Sequence, residues 1–133
     1  VAELLARRCG LAMRDTVSVS ALLRGRMLEE LCESARHAIA AGFACAKLKL
    51  GTGPLEHELE RVAAARESLG SGIRLRLDAN GIFPDAARAL EALERLARFG
   101  IELVEQPVPA FELEALASLR DRARLPLAAD EDA

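Results

Sequence analysis

The chain has 133 residues, 51% of them hydrophobic, with a formal net charge of −3 and acidic and basic side chains interspersed. This charge balance argues against nucleic acid or an anionic membrane as partner, and no apolar run approaches the roughly 20 residues that span a bilayer. Three cysteines, Cys9, Cys32 and Cys45, have no metal-ligand spacing and indicate reduced thiols in a cytoplasm. No signal peptide is visible, although the chain starts at Val1 and a preceding segment is compatible with that.

Strands and helices alternate along the chain after an initial helix end and turn at residues 1–13. The predicted strands cover 17–23, 43–50, 73–78, 101–105 and 125–130, and the predicted helices cover 27–41, 54–69, 84–99 and 111–122. Such alternation is typical of parallel strands joined by crossover helices. An open doubly wound sheet and a segment of a (β/α)8 barrel both fit. Neither GxGxxG after the first strand nor GxxxxGK[ST] is present, so the mark of a nucleotide site is missing.

Charged side chains stand at the ends of four successive predicted strands. They are Lys47 and Lys49, then Asp78, Glu105 and Asp130, with steps of 29, 27 and 25 residues after Lys49. The carboxyl ends of parallel strands in a βα array meet on one face, which is where active sites of these folds lie. We therefore expect the three carboxylates and two ammonium groups to converge.

The residue types at these positions suggest a metal site with an acid/base group beside it. Three close carboxylates repel one another unless a cation lies among them, and hard oxygen ligands with open positions suit Mg²⁺. Side chains at i and i+2 of a strand share a face, so Lys47 and Lys49 should each disfavour protonation of the other and lower at least one lysine pKa. Lysine and Mg²⁺ together can remove a proton next to a carboxylate and hold the resulting enediolate.

Simpler interpretations apply to several of these residues. A single acid at a strand end is more often a helix cap or loop anchor, and an isolated Lys-x-Lys pair is usually solvated surface; three acids at successive strand ends argue against chance. Cys45 is interpreted as a small core residue, and His37 and His57 as surface residues. Arg74 and Arg76 share the parity of Asp78 and are either counter-charges inside a barrel or residues at the sheet rim.

Four motifs in this order resemble the enolase superfamily: KLKLG at 47–51, RLDANG at 76–81, VEQP at 104–107 and ADE at 129–131. The resemblance covers about 17–131 and is greatest to the muconate lactonizing subgroup, which includes o-succinylbenzoate synthases and dipeptide epimerases. The Ser-Ala-Leu-Leu of 20–23 and the RLDAN form are most similar to o-succinylbenzoate synthases.

The resemblance implies a role for each residue of the strand-end cluster. Asp78, Glu105 and Asp130 would bind Mg²⁺, or Mn²⁺ in its place; Lys49 would be the general acid/base, Lys47 would support it electrostatically and help to hold the substrate, and Asn80 and Gln106 would be polar groups beside the metal. The implied fold is α/β, a partial (β/α)8 barrel with about five parallel strands and four helices. Residues 14–133 would form its first part and 1–13 the end of an N-terminal capping domain.

The implied activity is abstraction of a proton α to a carboxylate of a small substrate, followed by dehydration to o-succinylbenzoate in menaquinone biosynthesis. Alternatives are dipeptide epimerisation, muconate cycloisomerisation, and an inactive half-barrel that only self-associates. Each catalytic alternative is compatible with a cytoplasmic enzyme, and a homo-oligomer is compatible with each of them as well.

The sequence also departs from the family pattern. The subgroup carries a second catalytic lysine at the end of a sixth strand and loops of a capping domain, and neither is present in these 133 residues. Asp132 stands where serine is common, and Phe83 where tryptophan is common. Five strands of a barrel have two open edges. We therefore expect the chain to be part of a longer enzyme and to be inactive alone.

Overall fold

The computed structural model describes residues 8–10, 16–51 and 53–130. In these ranges five parallel strands form one sheet in the order β1-β2-β3-β4-β5. The strands are β1 (Ala21–Leu23), β2 (Cys45–Lys49), β3 (Arg74–Asp78), β4 (Ile101–Glu105) and β5 (Leu127–Ala128). The helices are α1 (Leu28–Ala40), α2 (Leu55–Leu69), α3 (Ala86–Leu96), which continues as a 3₁₀ turn over Ala97–Phe99, and α4 (Leu113–Arg122). The predicted α/β class, five parallel strands and four helices are confirmed.

The core lies between the sheet and the helices that connect its strands. Leu48, Leu75, Leu77 and Val104 are fully buried on the strand faces that meet the helices. Burial of a side chain of this size is worth about 1.5–3 kcal/mol. Since side chains alternate along a strand, the other sheet face carries the charged residues of β2 and β3.

The first and last strands are shorter than predicted. The predicted strand 17–23 begins only at residue 21, and Val17 and Val19 are 84% and 67% exposed, because no partner strand or helix covers them among the described residues. The predicted strand 125–130 is reduced to β5; Pro126 has no N–H to give to the ladder, although its carbonyl accepts from β4. Strand propensity alone therefore overestimates the strands at both edges of the sheet.

Several sequence-based expectations fall outside the described residues. Of the predicted helix end at 1–13, the structure describes only Arg8 and Cys9, which are helical, and Gly10, which is in a turn. Glu131 and Asp132 are likewise not described. No helix in the described ranges is long and apolar enough to cross a membrane.

Arg66 links backbone segments at the end of the sheet where the strands begin. Its guanidinium donates to four backbone carbonyl oxygens, those of Phe99, Gly70, Ile73 and Gly100, at 2.8–3.0 Å. These carbonyls belong to the turns that precede β3 and β4. Burial lowers the pKa of Arg66, which indicates that its charge is partly withdrawn from water. One side chain therefore links the end of α2 to both turns.

We predict that Arg66→Met lowers the free energy of unfolding by roughly 2–4 kcal/mol, because it leaves several carbonyl oxygens without their charged donor. Urea denaturation followed by circular dichroism measures this. Arg36→Met is the matched control, since Arg36 pairs only with Glu33 at an exposed site of α1. Equal stability of the two variants would show that the four hydrogen bonds contribute nothing net.

Candidate active site

The register of the three central strands aligns the predicted site residues. Lys49 pairs with Asp78, and Asp78 pairs with Glu105, across the β2–β3 and β3–β4 ladders. Lys47 Nζ lies 3.0 Å from Asp78 Oδ2 and 2.6 Å from Glu105 Oε2. All three side chains are less than a third exposed, so their charges interact with little screening by water. The structure thus brings together Lys47, Asp78 and Glu105 as predicted.

The pKa of Lys47 is shifted in the direction opposite to the expected one. Burial of the ammonium lowers its pKa, but the hydrogen bonds to Glu105 and Asp78 outweigh that effect, and the pKa of Lys47 is raised. The expectation of a lowered pKa fails at this residue because its nearest charges are the two carboxylates, not the neighbouring ammonium of Lys49. Lys47 is therefore a cation that compensates negative charge.

Lys49 has a different kind of partner. Its exposed side chain donates from Nζ to Oδ1 of Asn80 at 2.7 Å. Asn80 has a φ of +49° and donates its backbone N–H to Asp78 Oδ1 at 3.1 Å. Gly81 follows at a φ of +68°, and a Cβ there would lie 3.0 Å from the Cα of Pro109. The left-handed Asn-Gly pair thus turns the chain immediately after β3 and places the amide acceptor beside Lys49.

Asp130 does not join the other two carboxylates in the described part of the chain. Its backbone N–H donates to Oε1 of Gln106 at 3.0 Å, while its side chain is exposed. Gln106 is 1% exposed, with a φ of +41°, and its Nε2 donates to the carbonyl of Val108 at 3.0 Å. Gln106 therefore fastens the chain after β5 to the chain after β4. The metal-binding role of Asp130 stays a prediction.

The donor set agrees with a divalent cation only in part. Among the described residues, no three His, Cys, Asp or Glu side chains come together in a metal-binding arrangement. Two carboxylates, Asp78 and Glu105, do converge on one positive charge, that of Lys47. Their oxygens are the hard ligands that Mg²⁺ and Mn²⁺ prefer. These two residues fit the predicted ion, and a third protein ligand is not assembled.

A second charged cluster lies on the same sheet face, one layer nearer the strand starts. Glu102 binds Arg74 at 2.9 Å and also Arg76, so both arginines are counter-charges on this face. The β3–β4 register shifts between Leu75 and Arg76, leaving Glu102 as an extra residue in β4. This bulge lets Glu102 face the arginines although Glu105, three residues later, faces Lys47.

The remaining sequence predictions can be placed directly. Cys45 is buried, with 3% exposure, as expected for a core residue. The side chains of His37 and His57 are 83% and 52% exposed, which confirms both as surface residues. Sequence reasoning missed Glu58, a buried acid on α2. Its helical spacing from the apolar Leu55 and Val62 was a signal that it faces inward.

Comparison with known proteins finds a matching family and similar chains. The model of the family described as enolase C-terminal domain-like matches residues 30–133. A hydrophobic dipeptide epimerase of Enterococcus faecalis is 41% identical over 103 residues, covering 76% of this chain and 28% of that protein. An o-succinylbenzoate synthase of Thermobifida fusca is 38% identical over 121 residues, covering 90% of this chain and 36% of that protein.

The structural comparison agrees. The crystal structure of a dipeptide epimerase from Enterococcus faecalis has a TM-score of 0.83 at 36% identity, covering 88% of this chain and 33% of that chain. Its complex with Mg and the dipeptide L-Leu-L-Tyr has a TM-score of 0.78 at 35% identity, covering 87% of this chain and 32% of that chain. The chain spans about a third of the length of the curated relatives it matches.

We predict a pH-dependent stability contribution from Glu102. The Arg76 hydrogen bond, assisted by Arg74, holds the pKa of Glu102 below its ordinary 4.5. A lowered folded-state pKa stabilises the fold above the unfolded value, and the contribution is lost as pH falls through the folded value. Glu102→Gln should therefore lower the urea midpoint at pH 7, and the difference from the wild type should shrink as the pH falls below 4.5.

The control for this prediction is Glu91→Gln, because Glu91 pairs with Arg88 at a site where both side chains are more than half exposed. An exposed pair contributes little to stability. If Glu102→Gln and Glu91→Gln change the midpoint equally at pH 7, the Glu102 cluster does not stabilise the sheet.

Proposed function

This chain belongs to the enolase C-terminal domain-like family, and from that premise we propose that it carries the proton-abstracting part of a metal-dependent enzyme acting on a small carboxylate substrate. The proposed step removes the proton on the carbon next to the substrate carboxylate. The proposed outcome is dehydration to o-succinylbenzoate, a carbon–oxygen lyase reaction. The three free cysteines support a reducing compartment, the cytoplasm, as its location.

The distribution of the basic residues is the observation that carries this proposal. Of 18 lysine and arginine residues, only Lys47 and Lys49 are lysines, and both lie at the carboxyl end of β2. Arginine keeps its proton in proteins, whereas lysine can give up its proton and act as a base. The chain has arginine at every other basic position, and its only two lysine side chains lie beside the carboxylate cluster.

The two lysines differ in what their partners allow. Lys47 is held by two carboxylates, which favour its charged form. Lys49 donates to the neutral amide of Asn80, so loss of its proton would leave no carboxylate without a counter-charge at that contact. We therefore assign proton transfer to Lys49 Nζ, and electrostatic support and substrate binding to Lys47.

Asp78 and Glu105 would hold Mg²⁺, with Asp130 as the proposed third ligand. Mg²⁺ bound there supplies positive charge against the negative charge that develops on the substrate carboxylate as its α-proton leaves. Asn80 and Gln106 hold the loops that follow β3 and β4 in the turned conformations that leave both carboxylates at the strand tips.

Epimerisation is the second candidate, and the comparisons favour it at least as strongly. The E. faecalis dipeptide epimerase has higher identity to this chain than the T. fusca o-succinylbenzoate synthase, 41% against 38%. Both outcomes begin with the same proton abstraction by Lys49. They diverge in whether a hydroxyl group leaves or a proton returns on the opposite side.

We predict that Lys49→Arg lowers the rate at which the substrate α-proton is lost in D₂O, by elimination or by exchange for deuterium, by about 10²–10⁴-fold, because arginine keeps the charge but not the proton transfer. NMR in D₂O measures this on the full-length protein, with the o-succinylbenzoate precursor and L-Leu-L-Tyr as probes. Product from the first probe supports dehydration, and a D-configured residue from the second supports epimerisation. If Lys49→Arg removes the α-proton at the wild-type rate, Lys49 is not the group that transfers it.

Metal binding is tested separately. Asp78→Asn should weaken Mg²⁺ affinity by roughly tenfold or more in calorimetric titration, because it removes a charged oxygen ligand. Asp85→Asn is the control, since Asp85 caps α3 by accepting from the Arg88 N–H at 2.8 Å and asparagine caps equally well. Unchanged affinity in Asp78→Asn would show that Asp78 is not a ligand.

A further inference from the structure

Helix α2 buries an ion pair behind the end of β2. Glu58 is 3% exposed and, with Gln106, is one of two buried polar or charged residues in the described ranges. Its Oε2 accepts from Nη1 of Arg61, one turn later, at 2.6 Å, and the Arg61 side chain is itself only 12% exposed. Apolar residues of similar size would often give equal or greater stability at such a site. Packing alone therefore does not account for this pair.

Both members of the pair also bind the backbone around Lys49. Glu58 Oε2 accepts from the N–H of Gly51 at 3.0 Å, and Arg61 Nη1 donates to the carbonyl oxygen of Lys49 at 3.4 Å. Between these contacts, the N–H of Leu50 donates to the carbonyl of Asp78 at 2.8 Å. Three consecutive residues at the end of β2 are thus each fixed through a backbone group.

The fit around this anchor is tight. A Cβ on Gly51 would lie 3.0 Å from Oε1 of Glu58, closer than ordinary van der Waals contact. Arg61 holds the Glu58 carboxylate in place, so the carboxylate has little room to move away. The glycine therefore lets the backbone come close enough for its N–H to reach the buried acid.

Such an anchor matters because the lysine side chain is long and exposed. The position and direction of the Lys49 backbone determine whether Nζ meets Asn80 at 2.7 Å. Misplacement of a reacting group by about 1 Å can cost on the order of 100-fold in rate. Support that holds the backbone beneath the reacting group limits such misplacement.

We propose that Glu58 and Arg61 are positioning residues for Lys49. They fix the backbone at the end of β2, so that the Lys49 ammonium lies at the candidate site. The inference rests on the proposed role of Lys49 as the proton-transfer group. Neither residue contacts the substrate in this assignment; both act through the backbone of residues 49–51.

The test compares variants of the full-length protein that disturb the anchor from either side. Glu58→Gln weakens the acceptor, and Gly51→Ala pushes the carboxylate away without changing any charge. Glu56→Gln is the matched control, because Glu56 on the same helix pairs with Arg95 at 2.6 and 2.7 Å at an exposed site. Arg66→Met is the stability control, since it weakens the far end of the same helix.

Two readouts are required. Hydrogen exchange of the Gly51 amide should be at least tenfold faster in Glu58→Gln than in the wild type and unchanged in Glu56→Gln. The kcat for removal of the substrate α-proton, with the more active of the two probes, should fall about tenfold or more in Glu58→Gln and Gly51→Ala, with KM within twofold. Arg66→Met should leave kcat within twofold at a temperature where every variant is folded.

The outcomes separate the two proposals. If kcat follows stability alone, so that Arg66→Met loses as much as Glu58→Gln, the positioning role is overturned. Unchanged protection of the Gly51 amide overturns it as well, with or without a substrate. If the wild type removes the α-proton of neither probe, the proposed function is overturned, and the exchange rate of the Gly51 amide then tests the backbone anchor by itself.

Discussion

The register of the parallel strands is the constraint on which the candidate site depends. Lys49, Asp78 and Glu105 are ladder partners, so their side chains leave the sheet at the same level. A slip of one residue would turn each of them toward the helices. That slip is opposed by the leucines and valines on the opposite face, which are fully buried. The apolar core therefore sets the geometry of the charged face, although it contains none of the reacting groups.

The charged face is organised as compensated layers. Nearer the strand starts, Glu102 balances two arginines; nearer the strand ends, Lys47 balances two carboxylates. Charges withdrawn from water are tolerated when each has a partner, so both layers can lie inside a closed or partly closed barrel. Lys49 stands apart, since its hydrogen bond is to an amide. Within the described residues, Lys49 thus lies beside the carboxylate cluster without a carboxylate partner of its own.

Much of this arrangement follows from the sequence, for identifiable reasons. Alternation of apolar segments predicts the parallel sheet, and the spacing of Lys49, Asp78 and Glu105 by one βα unit predicts their common edge. Strand parity predicts that Cys45, Lys47 and Lys49 share a face, opposite to Leu48. These features depend only on local periodicity and on a rule of parallel topology; the periodicity holds along β2 and β3, whereas the extra residue Glu102 shifts it in β4.

Other features depend on distances that periodicity does not contain. The pKa of Lys47 is raised because its ammonium contacts two carboxylates. Strand parity predicts which side chains share a face, but not which of them lies nearest to Lys47. Asp130 lies two residues beyond the end of β5, and among the described residues its exposed side chain forms no three-carboxylate group with Asp78 and Glu105. Glu58 could be recognised as inward-facing from its helical spacing, but its acceptor role toward Gly51 depends on how closely α2 approaches β2.

The single extra residue in β4 has a consequence for how related sequences are compared. The alternation between the charged face and the core face shifts by one residue at Glu102, so counting by twos from Ile101 assigns the wrong face to the three residues that follow Glu102 in the strand. An alignment that places the extra residue at a later position in β4 would match Val104, a core residue, to the position of Glu105, the candidate ligand. The position of the extra residue in this strand therefore decides which side chains reach the candidate site and which enter the core.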